Sequence, residues 1–405
     1  MPEAVIVATA RSPIGRAGKG TLVEMRPEDL AAQMMRAALA TVPQLEATDI
    51  EDLVLGCSAP EGEQGFNLGR VVATLMGFDH LPGTTITRFC ASSLQSTRMA
   101  FHAIKAGEGD VFLSGGVETV SRYARPTSAS SDDHSPFFAD AEARSKQTAA
   151  EGADEWTDPR DLGLVPDAYL PMGQTAENVA LLKGISREEM DEFALRSQHL
   201  AQAAIANGFW AKDITPVTRP DGVVIDKDDC PRADVTMEAV AALRPVFRPD
   251  GRVTAGNSCP LNDGAAAVIV MSDTKAKELG LTPLARIVST GVSGLSPEIM
   301  GLGPVEASAA ALKRAGLNVG DIDLFEINEA FAAQVIPSYR ELGIDIDRLN
   351  VNGGAIALGH PFGMTGARIT STLINSLQHH DKQFGLETMC VGGGMGMAMV
   401  IERLS

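Results

Sequence analysis

Cysteine is scarce in this chain: 5 of its 405 residues, at positions 57, 90, 230, 259 and 390. An odd count scattered this widely, with no CxxC spacing, excludes a disulfide framework and a cysteine-based metal site, and fits a reducing compartment. Positive charge is also short, with 34 Lys+Arg against 52 Asp+Glu and a net charge of −18. Such a surface repels nucleic acid and anionic membranes, so neither is expected as a primary partner. Every apolar run stops well before the ~20 residues of a membrane-spanning helix. Pro2-Glu3 leads straight into the apolar stretch Ala4–Ala8, which reads as a core strand rather than a secretory signal, and Glu402–Ser405 matches no sorting tail. A cytoplasmic location is the expectation.

What is present is globular: 44% hydrophobic residues, 21% charged, 40 Gly and 22 Pro. At ~150 residues per domain, two or three domains are expected. A weak internal repeat organises the chain. Ala4–Thr9 resembles Ala285–Thr290, and the helical pattern from Pro27 to Val42 resembles Pro304 to Val319. Each copy continues through an Asp-Ile pair (Asp49-Ile50, Asp321-Ile322) into a short apolar strand, and later into Phe112–Gly116 and Met389–Gly394. Any β-α alternation looks somewhat self-similar, but the preserved order favours duplication of an α/β unit. Strands alternating with amphipathic helices predict a mainly parallel sheet covered by helices. The boundaries expected are 1–120 for a first half, with part of its sheet completed at about 245–275, then an insertion over 121–250 and a second half over 276–405. Within the insertion, Ser128–Asp161 reads as irregular surface structure. Gly173–Asn207 reads as helical, with a capping box from Ser186 to Glu189 and Gly208 as C-cap. A long insertion in one repeat is often a lid or a substrate-binding wall.

Four loops carry chemistry. In Thr87–Gln95, Cys90 sits where an apolar segment gives way to a helix bearing Leu94, Phe101 and Ile104 on one face. Free N–H groups and the helix dipole there should lower a thiol pKa, as a nucleophile requires, although a small residue packed in a tight turn fits this loop equally well. In Val351–Pro361, small residues precede His360, which falls opposite Cys90 in the repeat; two-fold placement would bring imidazole and thiol to one seam. In Glu387–Gly396, a glycine turn follows Cys390, an arrangement that cradles an oxyanion or phosphate with backbone N–H groups. The chain has no GxxxxGK[ST], which excludes the P-loop reading of that turn. In Glu326–Ala332, Asn328 ends an apolar strand, where polar groups face a cleft; taken alone, a helix N-cap by Asn328 is the simpler reading.

Taken together, CxS near residue 90, then NEAF, GGAIALGHP and CVGGGMG resemble the thiolase family nearly end to end. Further matching stretches are Ala8–Pro13, Met172–Asn178 and Leu261–Ala267. The resemblance implies a thiolase fold: two βαβαβαββ half-domains in a layered αβαβα arrangement with an inserted loop domain, assembled as a homodimer or homotetramer. It implies an acyltransferase acting on acyl-CoA and CoA, with no metal or covalent cofactor. Carried over residue by residue, Cys90 is the acyl-accepting nucleophile, His360 activates it, Asn328 holds a water, and Cys390 is the second acid/base. One oxyanion hole is implied at His360 and Asn328, the other at the N–H groups of Cys90 and Gly392. Coenzyme A is expected along the insertion near Arg232, Ala255, Gly256 and Cys259, with Met172, Phe247 and Phe331 around pantetheine and the acyl group. Two departures stand out. Cys259 replaces a serine common in the family, and Pro171 stands where short-chain biosynthetic relatives often carry histidine. A ketosynthase-type condensing enzyme would pair its nucleophile with His/His or His/Asn instead of a second cysteine. A non-catalytic acyl-CoA-binding subunit of a β-oxidation complex would have lost a reactive side chain, and such a multienzyme partner remains open for an active enzyme too. Because CoA is a polyanion, a small basic patch including Arg232 is expected on the acidic surface.

Overall fold

The computed structural model describes residues 2–123 and 134–405. The first half runs through β1 (Ala4–Arg11), β2 (Gly15–Arg16), α1 (Pro27–Ala40), β3 (Asp52–Gly56), α2 (Leu68–Leu75), β4 (Gly83–Ile86), α3 (Ser92–Ala106) and β5 (Val111–Thr119). A middle section carries α4 (Ala139–Glu151), α5 (Met172–Leu182), α6 (Arg187–Ala206) and α7 (Phe209–Asp213), then the paired strands β6 (Val217–Thr218) and β7 (Val224–Ile225), and α8 (Met237–Ala241). The chain returns through β8 (Asn262–Ser272) and α9 (Asp273–Glu278). The second half follows as β9 (Ala285–Gly294), α10 (Gly303–Ala315), β10 (Leu324–Ile327), α11 (Ala332–Leu342), α12 (Ala355–Leu358), α13 (Thr365–His379), β11 (Phe384–Val391) and β12 (Met395–Arg403).

The duplication is visible in strand pairing. At the central seam β1 meets β9; outward from it lie β8, β5, β3 and β4 on one side and β12, β11 and β10 on the other. On each side the first two pairings are antiparallel and the third is parallel. The two halves therefore repeat one pairing rule. The sheet is consequently mixed, against the expectation of a mainly parallel one. Helical crossovers do link strands running in the same direction, but β8 and β12 slot antiparallel between them. Which strand fills a neighbouring slot is a long-range choice that β-α alternation does not encode. The Phe112–Gly116 and Met389–Gly394 likeness is also out of register, since Gly115 and Gly116 lie inside β5 whereas Gly392–Gly394 turn after β11.

Three apolar cores hold helices against both faces of the sheet. Helices α1 and α2 cover the outside of the first half, and α10 and α11, with α5 and α6 of the middle section, cover the second. Helices α3 and α13 are buried between the halves, where Leu94 and Ile104 meet Ile369 and Leu373. They cross closely: a Cβ on Gly366 would lie 2.3 Å from the backbone nitrogen of Leu94. The middle section departs from expectation in one place. Of the stretch read as irregular, 128–133 lies outside the described residues, and 139–151 forms α4. Its sequence ADAEARSKQTAAE buries only Ala141, so no apolar stripe announces it; strong helix formers and acidic residues in the first turn hold it instead. The Gly173–Asn207 stretch breaks into α5 and α6, with the Ser186–Glu189 capping box formed and Gly208 left-handed just after the end.

Candidate active site

The site forms where α3 and α13 begin and where β10 and β11 end. The Phe89–Ala91 turn precedes α3 and packs against both α13 and β11. Phe89 has φ 43°, a left-handed conformation costly for an aromatic residue, and it sets Cys90 at the helix entrance. Ser92 closes the turn, accepting from the N–H of Arg88 and donating to the Phe89 carbonyl at 2.6 Å. Gly56 makes room for this helix start, since a Cβ there would lie 2.4 Å from Ser92 backbone. The expected lowering of the Cys90 pKa is not found. Burial pushes its thiol up to about 12; the N–H groups of Gly392 and of Cys90 itself pull it back, while the Glu118 carboxylate adds to the rise. The helix-entrance donors are present, but desolvation outweighs them.

His360 is 1% exposed and held from three directions. Its backbone N–H donates to Asn262 Oδ1 at 2.9 Å. Its Nδ1 lies 2.6 Å from Thr365 Oγ1, and that hydroxyl donates to the Pro361 carbonyl at 2.7 Å. Thr365 must therefore accept from Nδ1–H, leaving Nε2 as the free base nitrogen. The Asn328 amide nitrogen faces Nε2 at 3.3 Å, and Asn328 Oδ1 is buried without a partner. Burial, reinforced by the positive charge of Arg368, drives the His360 pKa down to about 3, so the imidazole rests neutral. Asn328 is not a helix cap: α11 starts only at Ala332, with Phe331 before it. Glu329, next in sequence, takes hydrogen bonds from Ser197 Oγ, Asn350 Nδ2 and the Ile356 N–H. It thereby pins the glycine-rich loop to α6, and a Cβ on Gly354 would lie 2.3 Å from its carboxyl carbon.

Cys390 ends its strand fully buried. Desolvation pushes its thiol well above the ordinary range, and charge on Cys90 or Cys259 pushes the same way. Cys259 is raised for the same reasons, burial first and Cys90 next. The following turn is faced by Phe89 and Met172, whose Sδ lies 3.6 Å from a Cβ built on Gly392. Cys57 instead lies beside Glu118, and Cys230 accepts from Asn262 Nδ2 at 3.3 Å.

A cavity of about 620 Å³ reaches from Cys259 to the surface, lined among others by Phe247, Ala255, Gly256 and Arg232. Phe331 does not line it but lies behind Phe247, the two ring centroids 6.4 Å apart. The lining holds three cations, Arg16, Lys19 and Arg232, against one carboxylate, Asp229. That is a local reversal of the −18 charge. Among the described residues, no cluster of His, Cys, Asp and Glu has metal-binding geometry, and no helix is long and apolar enough to cross a membrane.

The thiolase N-terminal domain family matches residues 4–274 and the thiolase C-terminal domain family matches residues 281–403. The chain belongs to the thiolase family. It is 43% identical to a 3-ketoacyl-CoA thiolase of Bacillus subtilis (strain 168), covering 99% of this chain and 100% of that protein. A 3-ketoacyl-CoA thiolase of Serratia proteamaculans (strain 568) is 45% identical over the full length of both. Among solved structures, the Bacillus anthracis acetyl-CoA acetyltransferase superposes with a TM-score of 0.85 at 39% identity, covering 100% of this chain and 99% of the other. Human mitochondrial 3-ketoacyl-CoA thiolase gives 0.86 at 36%, with the same coverage.

Thiolase wording led to the four loops but not to the residues that serve them. Thr365, five positions beyond His360, sets the imidazole tautomer; its signal is a hydroxyl at the entry to α13. Arg368, one turn further on, is buried with all three guanidinium nitrogens unpartnered, and nothing in the sequence marks it. Arg16 and Lys19 join Arg232 only because the turn after β2 folds against the middle section.

The thiol and imidazole pKa values make a checkable statement. With Cys90 raised and His360 lowered, the resting pair is neutral S–H and neutral imidazole, not an ion pair. Alkylation of Cys90 by iodoacetamide, followed by peptide mass spectrometry, is expected to accelerate about tenfold per pH unit from pH 7 to pH 10. A plateau already reached at pH 7 would mean that the thiolate is preformed.

Proposed function

We propose that this protein is a CoA-dependent thiolase. It cleaves a 3-ketoacyl-CoA with CoA to acetyl-CoA and a shortened acyl-CoA, and runs the reverse condensation, through an acyl-Cys90 intermediate. The observation that carries this reading is the Cys90 sulfur within reach of the Gly392 N–H, two residues beyond Cys390, in a chain that also pairs Asn328 with His360 and has a cation-lined cavity with Cys259 in its wall.

Cys90 attacks the 3-keto carbon while its proton passes to His360 Nε2, the nitrogen left bare by Thr365. Protonation converts Nε2 from acceptor to donor, so the imidazolium can then support an oxyanion beside Asn328, whose unpartnered Oδ1 suits a bound water. Collapse breaks the C2–C3 bond. The departing acetyl-CoA carbanion takes a proton from the neutral thiol of Cys390, and the acyl group stays on Cys90 as a thioester. The carbonyl of that thioester is served by the N–H groups of Cys90 and Gly392, which already reach the Cys90 sulfur. CoA then enters, loses its thiol proton to Cys390 and attacks the thioester carbonyl; the bond to Cys90 breaks, its sulfur recovers the proton held on His360 Nε2, and the shortened acyl-CoA leaves.

Cys390 disfavours a ketosynthase, and retention of every reactive side chain disfavours a non-catalytic acyl-CoA-binding scaffold. Arg16, Lys19 and Arg232 would take the CoA phosphates, with Ala255, Gly256, Cys259, Met172, Phe247 and Phe331 along pantetheine and the acyl group. The chain divides as 1–120 with 245–275, 121–250 and 276–405, a reading supported by β8 lying between β1 and β5. It works in the cytoplasm as a homo-oligomer and is suited to fatty acid β-oxidation. Self-association is supported by β4, an edge strand with one side unpaired among the described residues, and by nearby Phe66, 97% exposed with φ 54°.

The direct test is thiolysis of acetoacetyl-CoA by the purified protein; no cleavage under any CoA concentration would end the proposal. Arg16→Ala and Arg232→Ala are each expected to raise KM for CoA roughly tenfold, the worth of a charge-assisted phosphate contact, with kcat little changed. An unaltered KM in both would displace the phosphates from this cavity mouth.

A further inference from the structure

The wall of the CoA-sized cavity is also the wall of another. Val246 and Phe247 line the cavity that ends at Cys259, and the same two residues line a separate cavity of about 340 Å³. The second space lies between α4, which contributes Ala149, and the segment Tyr169–Pro171 that leads to Met172. Leu170, Pro171 and Ala149 give it one apolar wall, while His134, Glu142, Asp167 and Gln174 line other parts, and Lys146, with its side chain 73% exposed, places its mouth at solvent. Only the Val246–Phe247 segment is shared with the cavity whose wall carries Cys259.

Phe247 is held unequally. Its backbone is anchored, because Gln174 Nε2 donates to the Phe247 carbonyl at 2.5 Å and Arg248 next to it donates to Gln174 Oε1 at 2.7 Å. Its ring lies flat against Gly173, where a Cβ would come within 2.1–2.2 Å of three ring atoms, and presents an edge to Phe331. A pinned backbone with an apolar, half-buried ring is a partition that can turn about its side-chain torsions without breaking a hydrogen bond. Gly173 supplies the clearance against which it rests.

We propose that Phe247 is the residue that sets acyl-chain length, and that unbranched 3-ketoacyl-CoAs longer than acetoacetyl-CoA turn it aside and run their tails into the cavity beside α4. The proposal rests on the thiolase reading and deepens it. Short acyl groups end before the partition and leave it shut. Longer ones exchange water for apolar wall, and each methylene that enters is worth about fourfold in kcat/KM, the equivalent of ~0.8 kcal/mol. Pro171, where a histidine would add a polar group beside Met172, belongs to the apolar wall along which the tail would run.

The test is a kcat/KM series over unbranched 3-ketoacyl-CoAs from four to sixteen carbons for the parent protein, Ala149→Phe and Phe247→Ala. For the parent, kcat/KM should climb beyond four carbons. Ala149→Phe, which fills the second cavity from a half-exposed helix position, should keep the four-carbon rate and lose at least about tenfold on the best long substrate. Phe247→Ala should raise the long-to-short ratio above the parent value. An unchanged ratio in both variants, or a parent that cleaves acetoacetyl-CoA and gains nothing with length, overturns the proposal. A parent that cleaves no 3-ketoacyl-CoA at all overturns the thiolase reading itself, and this inference with it.

Discussion

Replacing Cys90 with alanine is expected to remove both thiolysis and condensation, lowering kcat by at least about four orders of magnitude while leaving CoA binding near its parent value. The size of the effect follows from covalent catalysis. Without the sulfur, no acyl-enzyme forms, and the remaining groups would have to assist direct attack of CoA on a ketone. His360 loses its proton donor, so the Nε2–H that supports the first oxyanion is never generated; at a pKa of about 3, solvent does not supply it near neutral pH. The fold should survive, because the turn around Cys90 is closed by Ser92 and its neighbours rather than by the thiol. The measurement is intact-protein mass after incubation with acetyl-CoA: an acetyl adduct on the parent and none on the variant. An acetyl group retained on the variant, or thiolysis within tenfold of the parent, would place the nucleophile elsewhere. Cys259 and Cys390, the thiols on which charge at Cys90 acts, are those such a result would bring forward.

Cys390→Ala should separate the two stages instead of removing both. The Cys390 thiol is buried and raised well above its ordinary range, which makes it a poor thiolate at rest and a good holder of the proton that the acetyl-CoA carbanion needs. Losing it should cost thiolysis and condensation ~10²–10⁴-fold, the usual span for a general acid/base. Acetyl transfer from acetyl-CoA to Cys90 should remain detectable by mass. The decisive readout is exchange of the α-protons of acetyl-CoA into deuterated water, which reports proton transfer without carbon–carbon bond formation. Exchange should fall together with condensation. If it continued at the parent rate, the acid/base would have to be another group, and the role assigned to Cys390 would be wrong. The alanine substitution leaves a small buried space and one fewer polar atom, so its structural cost is modest beside this.

The parts of the site that could be read in advance are those whose chemistry is local. The glycines of the His360 loop announce a backbone that must turn left-handed and pass close to other groups, as Gly353 and Gly359 do at φ 81° and 117°. The glycines after Cys390 announce a turn that opens amide donors toward a sulfur, and Gly393 and Gly394 have φ of 78° and 79°. Asn328 was hidden behind a simpler reading, the helix cap, because a polar residue after a strand looks the same in either role. Only the late start of α11 distinguishes them. Glu329 was likewise legible as a residue of a first helical turn, whereas its three hydrogen bonds reach residues from 21 to 132 positions away. Helix α4 was missed because helices held by propensity carry no apolar stripe to read.

The sequence by itself determined the scarce, non-disulfide cysteines, the acidic exterior, the duplication, and the four loops in thiolase order, because each depends on composition or on residues a few positions apart. Tertiary structure alone decided the rest. Strands β8 and β12 made the sheet mixed, since pairing partners are chosen by burial across the whole chain. Burial raised Cys90 where its helix entrance argued for lowering, since desolvation sums over every neighbour while the dipole acts over one turn. The five cysteines, uninformative as a count, are told apart by place: Cys230 and Cys259 line the cation-bearing cavity, Cys57 lies beside Glu118, and Cys90 and Cys390 stand at the turn before α3 and near the end of β11. The cations that oppose the −18 charge gathered at a single cavity because Arg16, Lys19 and Arg232, far apart in the chain, are brought to one wall by packing.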